Sequence, residues 1–449
     1  MHDRRKLLLR ALLFDLLGQV LIFGLLSLLP PWTGIALAAN SLQSQAAWLV
    51  FLLFLYPLLG WLFGSYTVLS WRRLALTLLL QRLFITAAAT SLVVAIARWL
   101  FSPSDVASLL YPRVQYAWIV SLTIWALVVR IGLRKGLLLP DTPRILLFVQ
   151  SQHLDTVLRA WNRVPQRHSL FPVHAMSLAY QLDQAEEPFL VAISEAVRQD
   201  PAHRLLIARL EMCDPRQVCV LPVLSLFEQQ QERLPPVLMT DTVLTYDDLP
   251  WAASFSVQAQ LKRMADVLLA ALLLLLTAPF VLLSAVMIWL EDRGPVFYAQ
   301  SRSGWLGRPF MVYKLRTMMV QPADAPACWT EPGDQRITSV GRWLRRFRLD
   351  ELPQLLNVLN GEMSLIGPRP ERPELEEELK QRIPHYLKRY WMRPGLSGWA
   401  QVCAPYASSI EDSDLKLSYD LYYLRHFSTW LDLAILLRTV KTILKAGGR

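Results

Sequence analysis

The sequence predicts a membrane protein of α plus α/β class, with a helical membrane region, a small α/β module and a cationic C-terminal region. Hydrophobic residues make up 53% of the 449 residues, charged residues make up 18%, and the formal net charge is +10. A mean hydropathy of +0.30 is typical of a chain that lies partly in lipid. The positive charge favours an anionic partner. We expect lipid headgroups or a phosphorylated substrate rather than nucleic acid, because the apolar runs place the chain at a membrane.

Residues 1–142 contain four apolar runs that predict four transmembrane helices, at 12–29, 46–63, 80–99 and 117–129. Each is near the roughly 20 residues that cross a bilayer core, although the last is short. Lysine and arginine precede the first run, separate the second from the third and follow the fourth. The positive-inside rule therefore places both ends of this region in the cytoplasm. No signal-peptide cleavage pattern follows the first run, so we expect it to be retained as a span.

Residues 143–249 predict a small Rossmann-like module with a parallel sheet. Alternating apolar and polar stretches indicate strands and helices. The runs interpreted as strands are 144–149, 189–194, 204–208 and 218–223. The turn after the first run, Gln150 to His153, has none of the glycines that a dinucleotide-binding fold places there. We therefore expect a structural or regulatory module, which together with the spans offers surfaces for a homodimer.

Residues 250–449 begin with a fifth apolar run, 264–290, which we interpret as a re-entrant membrane helix. Basic residues flank both of its ends, so both ends are expected on the cytoplasmic side. Pro279 lies near its middle, where the missing N–H and the ring bend a helix. The alternative is a kinked fifth span, which would place the arginine-rich remainder outside the cell.

The last amphipathic stretch, Trp430 to Lys445, places apolar side chains on one helical face and basic side chains towards another. This pattern predicts a helix that lies in the headgroup region of a membrane. An ordinary core helix has the same pattern and remains the alternative.

The segment 341–370 places four arginines directly before the adjacent carboxylates Asp350 and Glu351. Pro353 suits a first helical turn, so a short helix is predicted over 352–359 with Asp350 at or near its N-cap. A helix start favours an anion beside it. The simpler interpretation is that the two carboxylates only cap a helix while the arginines form a solvated face.

Further cations accompany this carboxylate pair. Lys314 and Arg316 alternate with apolar residues, so a strand would direct both to one side, and Arg369 lies between two prolines. A diphosphate substrate needs its charge neutralised by lysine, arginine or a metal ion. An aspartate can act as a nucleophile that forms a covalent acyl phosphate. The combination predicts chemistry on a phosphorylated substrate.

Six motifs in order cover about the last 190 residues and identify a family. They are Gly294–Phe297, Lys314–Met318, Asp334–Thr338, Leu349–Pro370, Arg393–Val402, and Asp420–Tyr423 with the tail Asp432–Val440. In these motifs the region resembles the bacterial sugar transferase family of monotopic phosphoglycosyl transferases. The four spans and the α/β module are similar to the long form of that family.

The resemblance implies transfer of a hexose-1-phosphate from a UDP-sugar to undecaprenyl or another polyprenyl phosphate, with release of UMP. This would be the first membrane step of exopolysaccharide, capsule or O-antigen synthesis, at the cytoplasmic face of a bacterial inner membrane. It implies that Asp350 is the nucleophile, and that Glu351 helps to bind Mg²⁺ with Asp350 or assists the acceptor. The residues that it implies for phosphate or nucleotide charge are Lys314, Arg316, Arg336 and Arg369.

One departure from the family pattern concerns the re-entrant helix. The family breaks this helix at a Ser-Pro pair, whereas this chain has Ala278-Pro279. The proline is expected to provide the break without the serine.

Two other functions are compatible with the sequence. Asp412-Ser413-Asp414 fits the metal-binding motif of one-step polyprenyl-phosphate glycosyltransferases, which release UDP instead of UMP. An inactive membrane scaffold is the other alternative. No motif identifies the sugar, and glucose and galactose are expected only by analogy with long-form relatives.

Overall fold

The computed structural model describes residues 2–29, 46–66, 76–101, 112–134, 144–164, 168–184, 188–215, 217–247, 249, 251, 256–319, 334–404 and 409–444. Contacts between residues divide the chain into two compact units, Met1–Gln231 and Glu232–Arg449. The domain boundaries predicted near residues 142 and 249 stay predictions. Lys445, the last residue of the predicted amphipathic stretch, lies outside the described residues.

The first unit begins with four helices where the sequence has its apolar runs. They are α1 (His2–Ser27), α2 (Ala46–Phe63), α3 (Leu76–Phe101) and α4 (Pro112–Arg134). Three of them extend beyond the predicted runs, because polar and basic residues next to an apolar run continue the same helix. Their shared core includes Trp118 and Leu122, and Phe23 stacks on Trp118 with ring centroids 5.4 Å apart.

Among the described residues, four helices are long and apolar enough to cross a membrane. They are Leu8–Ser27, Leu79–Leu100, Pro112–Leu133 and Val257–Asp292. The apolar part of α2, Trp48–Phe63, is shorter, so its crossing stays a prediction. Together with the small parallel sheets, these helices are consistent with the predicted membrane protein.

The rest of the first unit is a parallel α/β module, as the sequence predicted. Its strands are β1 (Arg144–Phe148), β2 (Leu170–Pro172), β3 (Phe189–Ile193) and β4 (Val218–Pro222), in the order β2-β1-β3-β4. Its helices are α5 (Ser151–Asn162), α6 (Ala175–Asp183), α7 (Glu195–Gln199), α8 (Arg204–Glu211) and α9 (Val223–Gln231). The Rossmann-like description stays a prediction.

One strand prediction is wrong, because residues 204–208 form the start of helix α8. Ile207 and Leu210 are buried three residues apart, whereas Leu205 is 88% exposed. This is the spacing of a helix that buries one face. A five-residue apolar run does not distinguish it from a strand.

The second unit starts with the long helix α10 (Val257–Asp292), followed by the antiparallel strands β5 (Phe297–Ser303) and β6 (Pro309–Leu315). The later helices are α11 (Ser339–Phe347), α12 (Leu355–Asn360), α13 (Pro373–Arg382), α14 (Trp399–Cys403), α15 (Ile410–Arg425) and α16 (Thr429–Leu444). The short strands β7 (Ser364–Ile366) and β8 (Gly395–Ser397) pair in parallel.

Helix α10 is helical through Pro279, and hydrogen bonds attach both of its ends to the same unit. Near its start, Arg263 donates to the carbonyl oxygens of Val358 and Leu359, at 2.6 and 2.8 Å. Near its end, Glu291 accepts from the N–H of Ser339 at 2.9 Å. The middle of the helix exposes mostly leucine side chains. The re-entrant path itself stays a prediction.

Helix α16 covers the predicted amphipathic stretch. It exposes an apolar row: Trp430, Leu433, Leu437, Val440 and Ile443. Leu431 and Ile435 on its other side are buried. An exposed apolar row next to basic side chains fits a headgroup position better than a fully packed core helix.

Candidate active site

The carboxylate pair lies on a tight helical turn that begins earlier than predicted. Residues Leu349–Gln354 form a 3₁₀ helix, and α12 continues from Leu355. Arg348 ends α11 in the left-handed region, at φ 56° and ψ 27°. This conformation is uncommon for a residue with a side chain, and it redirects the chain between the two helices. Asp350 therefore lies inside the first turn rather than at an N-cap.

Glu351 is buried and surrounded by three cationic side chains. Its Oε1 lies 2.6 Å from Arg369 Nη2 and 3.2 Å from Lys314 Nζ. Its Oε2 lies 3.6 Å from Arg348 Nη1. Charge-assisted contacts of this kind are the stronger hydrogen bonds in proteins. Glu351 is thus held in place by residues from β6, from α11 and from the turn after β7.

Asp350 is half-buried next to this cluster, in a different environment. No other described residue donates a hydrogen bond to its carboxylate or forms an ion pair with it within 4.0 Å. Lys314 and Arg369 form their ion pairs with the adjacent Glu351 instead. Apart from a hydrogen bond from its own backbone N–H, the Asp350 carboxylate is open to a ligand at the edge of a cationic cluster.

The two carboxyl groups also differ in acidity. Burial raises the pKa of Asp350, and the charge of Glu351 raises it further, against the opposing effects of Lys314 and Arg345. Burial also acts to raise the pKa of Glu351, but the charges of Arg369 and Lys314 outweigh it and hold this pKa well below its usual range. Burial lowers the pKa of Lys314, and the charge of Glu351 offsets part of that effect. Such divergence between neighbouring groups is typical of reactive sites.

The structure separates Arg316 and Arg336 from this cluster by giving each another carboxylate partner. Arg316 lies beyond the end of β6 and pairs with Asp292 at the end of α10. Arg336 pairs with Asp334, with Nη2 and Oδ2 2.6 Å apart. Hydrogen bonds from Arg336 lower the pKa of Asp334 to about 2. Of the four cations predicted for substrate charge, Lys314 and Arg369 are therefore the two that contact Glu351.

Two cations at the site were not predicted individually. Arg348 contacts Glu351, and Arg302 donates to the carbonyl oxygen of Pro370 at 3.3 Å, next to Arg369. The arginine run before Asp350 gave a signal for Arg348, but the left-handed turn decides which arginine reaches Glu351. Arg302 is a single cation in a strand, and nothing in the local sequence indicates its role.

The residues partly fit the magnesium ion that the resemblance implies. Mg²⁺ is usually held by one or two carboxylates together with substrate phosphates and water. Asp350 has carboxylate oxygens available for this, whereas Glu351 is shared among three cations. Among the described residues, no group of three or more His, Cys, Asp or Glu side chains is placed to hold a metal ion. An ion here would depend mainly on substrate oxygens.

The Asp412-Ser413-Asp414 triplet lies near the start of α15, with Asp412 in its first turn. Ser409 caps this helix, accepting a hydrogen bond from the N–H of Asp412 at 3.1 Å, and Ser413 is buried. Acidic residues in a first turn stabilise the helix dipole. This location accounts for Asp412 without a metal.

Comparison with known proteins identifies related chains. A family model described as bacterial sugar transferase matches residues 257–446. The chain is 44% identical over 192 residues to the UDP-N-acetylgalactosamine-undecaprenyl-phosphate N-acetylgalactosaminephosphotransferase of Aeromonas hydrophila, which is 43% of this chain and 45% of that protein. It is 45% identical over 185 residues to the UDP-glucose:undecaprenyl-phosphate glucose-1-phosphate transferase of Caulobacter vibrioides, covering 41% of this chain and 69% of that protein.

A protein of the latter name from Escherichia coli K12 is 34% identical over 267 residues, 56% of each chain. The match thus spans about half the length of the Aeromonas and Escherichia proteins and over two thirds of the Caulobacter protein. The residues that match the family model, 257–446, include Asp350 and Glu351.

Proposed function

The chain belongs to the bacterial sugar transferase family, and on this premise we propose that it transfers a hexose-1-phosphate from a UDP-sugar to undecaprenyl or another polyprenyl phosphate. UMP is the second product. The observation that carries this proposal is Asp350, a carboxylate that forms no ion pair with any described residue, beside Glu351, which contacts three cations. The names of the relatives above point to the same donor and acceptor classes.

The first step is attack by an Asp350 oxygen on the β-phosphorus of the UDP-sugar. A bond forms between that oxygen and phosphorus, and the bond from the β-phosphorus to the oxygen shared with the α-phosphorus breaks. UMP leaves with the shared oxygen, and the sugar phosphate stays on Asp350 as an acyl phosphate. In the second step, a phosphate oxygen of the polyprenyl phosphate attacks the same phosphorus and releases the Asp350 carboxylate.

The cations around Glu351 support this chemistry electrostatically. The donor diphosphate brings negative charge next to Asp350, which would otherwise repel it. Lys314, Arg348 and Arg369 face two carboxylates, so the cluster has a positive charge to spare for the phosphates. Arg316 and Arg336 remain proposed contacts on the family resemblance alone. When bound, Mg²⁺ would neutralise further phosphate charge, with Asp350 and Glu351 as its nearest carboxylates.

The attachment of α10 supports the proposed re-entrant path. A straight helix of its 36 residues would be about 54 Å long. Its two ends bind residues 339 and 358. Between them lie four arginines, Asp350 and Glu351, which a bilayer core would exclude. Ends on opposite sides of the membrane would draw this charged segment through the lipid, so we place both ends, and the site, on the cytoplasmic face of a bacterial inner membrane.

This position suits a lipid acceptor. The prenyl tail stays in the bilayer and its phosphate lies at the headgroup plane, where a cytosolic UDP-sugar can meet it. The exposed apolar row of α16 would lie in the same plane. Labelling of a cysteine introduced at exposed Arg308 by an impermeant reagent in intact cells would overturn this topology.

Intact-mass spectrometry tests the covalent step. Purified protein incubated with a panel of UDP-sugars, without polyprenyl phosphate, should release UMP and gain the mass of one sugar phosphate at Asp350. The Asp350→Asn variant should gain none. Release of UDP, with no mass gain by the wild-type protein, would instead indicate a one-step glycosyltransferase. Absence of any nucleotide release across the panel, with lipid present, would favour an inactive scaffold.

A further inference from the structure

The turn that carries Arg369 is fixed by hydrogen bonds to three consecutive carbonyl groups. Arg389 Nη2 donates to the oxygen of Arg369 at 2.9 Å, and Arg302 Nη1 donates to that of Pro370 at 3.3 Å. The backbone N–H of Ser303 donates to the oxygen of Glu371 at 3.0 Å. This turn lies outside any helix or strand. Its conformation therefore depends on these donors rather than on a regular hydrogen-bond ladder.

Arg389 is itself held in one orientation by buried partners. It is 5% exposed, and its ion-pair partner Asp420 is 1% exposed. Arg389 Nη2 lies 3.0 Å from Asp420 Oδ2, and Nη1 donates to the Tyr386 hydroxyl at 2.7 Å. The guanidinium also lies 5.8 Å from the centroid of the Tyr390 ring. Asp420 thus helps to fix the arginine whose Nη2 also donates to the backbone of Arg369.

Deep burial alone does not show that this pair serves stability. Removing two charges from water costs several kcal/mol, and well-packed apolar residues often serve a fold as well or better. Burial raises the pKa of Asp420 to about 6 even though Arg389 opposes the effect. The charge of Glu371 acts in the same direction as burial, and the attraction of the arginine does not fully offset their combined effect on this pKa. A geometric role for the pair is the better explanation.

This inference rests on the proposed function: we propose that Arg389 and Asp420 are positioning residues that hold the backbone of Arg369, and so keep its guanidinium on Glu351. The connection runs from Asp420 through Arg389 to the Arg369 carbonyl, and from the Arg369 side chain to Glu351 Oε1. Neither residue of the pair contacts Asp350 or Glu351 in the described structure. This role would explain Asp420 in the Asp420–Tyr423 motif, for which the sequence indicated no function.

A double-mutant cycle tests the connection. Asp420→Asn should lower kcat/KM for the UDP-sugar by about 10- to 100-fold, the range seen when supporting residues around a reactive group are changed. Arg369→Lys should also lower it, because a lysine cannot keep the same fork geometry. When Arg369→Lys is already present, adding Asp420→Asn should lower kcat/KM by less than about 3-fold further, because the arginine that Asp420 positions is no longer there.

Asp266→Asn is the matched control. Asp266 is a buried aspartate of the same unit that accepts a hydrogen bond from the N–H of Leu365 at 3.1 Å. It forms no hydrogen bond or ion pair with Arg369 or Arg389 in the described structure. Asp266→Asn should change kcat/KM by the same factor in the wild-type protein and in Arg369→Lys. If the loss caused by Asp420→Asn is also equal in both backgrounds, the pair acts only through general stability and the proposal is overturned.

Two further measurements keep the outcome decisive. If Asp420→Asn does not fold, Tyr386→Phe can replace it, because it removes the hydroxyl that accepts from Arg389 and keeps the ring. Tyr386→Phe should lower kcat/KM in the wild-type background and change it much less when Arg369→Lys is present. The thermal unfolding midpoints of the same variants provide a readout without catalysis. A wild-type protein that releases no UMP would refute the proposed function, yet non-additive midpoints would still support the network. Additive activities would refute the positioning role in an enzyme that releases UMP, and additive midpoints would refute the network in a protein that does not.

Discussion

The two units each contain a buried carboxylate that is paired with arginine, but only one of the two sites has charge and oxygen atoms left over. In the first unit, Asp15 forms a two-pronged pair with Arg130, at 2.9 and 2.8 Å. The Tyr66 hydroxyl donates to Asp15 at 2.6 Å, and Ser65 accepts from Arg130 at 3.2 Å. Both charged side chains are fully buried. One cation balances one anion and both are shielded from solvent, so we call this a closed pair.

The site in the second unit is open by comparison. Three cations share Glu351, and the adjacent Asp350 has no ion-pair partner among the described residues. The partners Arg348 and Arg369 remain partly exposed. A closed pair can hold helices in one arrangement, whereas an open cluster can receive a phosphate and react with it. The comparison predicts stability effects in the first unit and activity effects in the second.

The largest expected effect is on catalysis. Asp350→Asn should lower sugar-phosphate transfer by on the order of 10³-fold or more, because an amide cannot form the acyl phosphate. Its thermal unfolding midpoint should not fall, since burial and Glu351 both disfavour the charged form of Asp350. UMP release measured beside the unfolding midpoint checks both parts. Glu378→Gln, which removes an exposed partner of Arg382, is the control and should leave transfer unchanged. Normal turnover of Asp350→Asn would remove Asp350 as nucleophile.

The opposite result is expected in the first unit. Asp15→Asn leaves Arg130 buried without its counter-charge and should destabilise the protein by about 3 to 5 kcal/mol. Gln19→Leu is a suitable control, because it removes a buried neutral side chain that donates to the Leu53 carbonyl, and it should cost about 1 kcal/mol. Thermal unfolding in detergent measures both variants. Equal stability of Asp15→Asn and wild type would mean that the closed pair does not hold the helices.

A third prediction concerns pH. Asp350 must be ionised to attack, and its pKa is raised, so transfer should fall as pH decreases through that pKa. Glu351→Gln removes a neighbouring negative charge and leaves Lys314 and Arg369 without their anion. Both changes favour ionised Asp350, so the acid limb of the pH profile should move to lower pH, even if the maximum rate is reduced. Profiles of kcat/KM for the UDP-sugar measure the movement. A limb that stays in place or moves to higher pH would show that another group controls it.

These contrasts also show what the sequence could predict. The apolar runs predicted the four helices of the first unit, because a run of about 20 apolar residues is typical of a membrane span. The charge order drew attention to Asp350 and Glu351, and the family resemblance implied that Asp350 is the nucleophile. The sequence did not reveal that Asp15 and Arg130, 115 residues apart, would meet. Nor did it reveal that Arg348 rather than Arg316 would reach Glu351. That choice depends on a left-handed residue at 348 and on the end of β6. Pairings set by folding over long distances leave no local pattern.

The smallest expected effect separates the cations that contact Glu351 from those that have their own carboxylates. Arg336 binds Asp334 through Nε and Nη2, so most of its charge is already neutralised. Arg336→Lys should therefore change KM for the UDP-sugar by less than about 3-fold, whereas Arg369→Lys should raise it by about 10-fold or more, since a lost contact to a charged group is worth about 1.5 to 3 kcal/mol. Initial rates over a range of donor concentrations compare the two variants. An equal rise in KM for Arg336→Lys would mean that Arg336 leaves Asp334 to bind the donor. The distinction between cations that share Glu351 and cations with a carboxylate of their own would then fail.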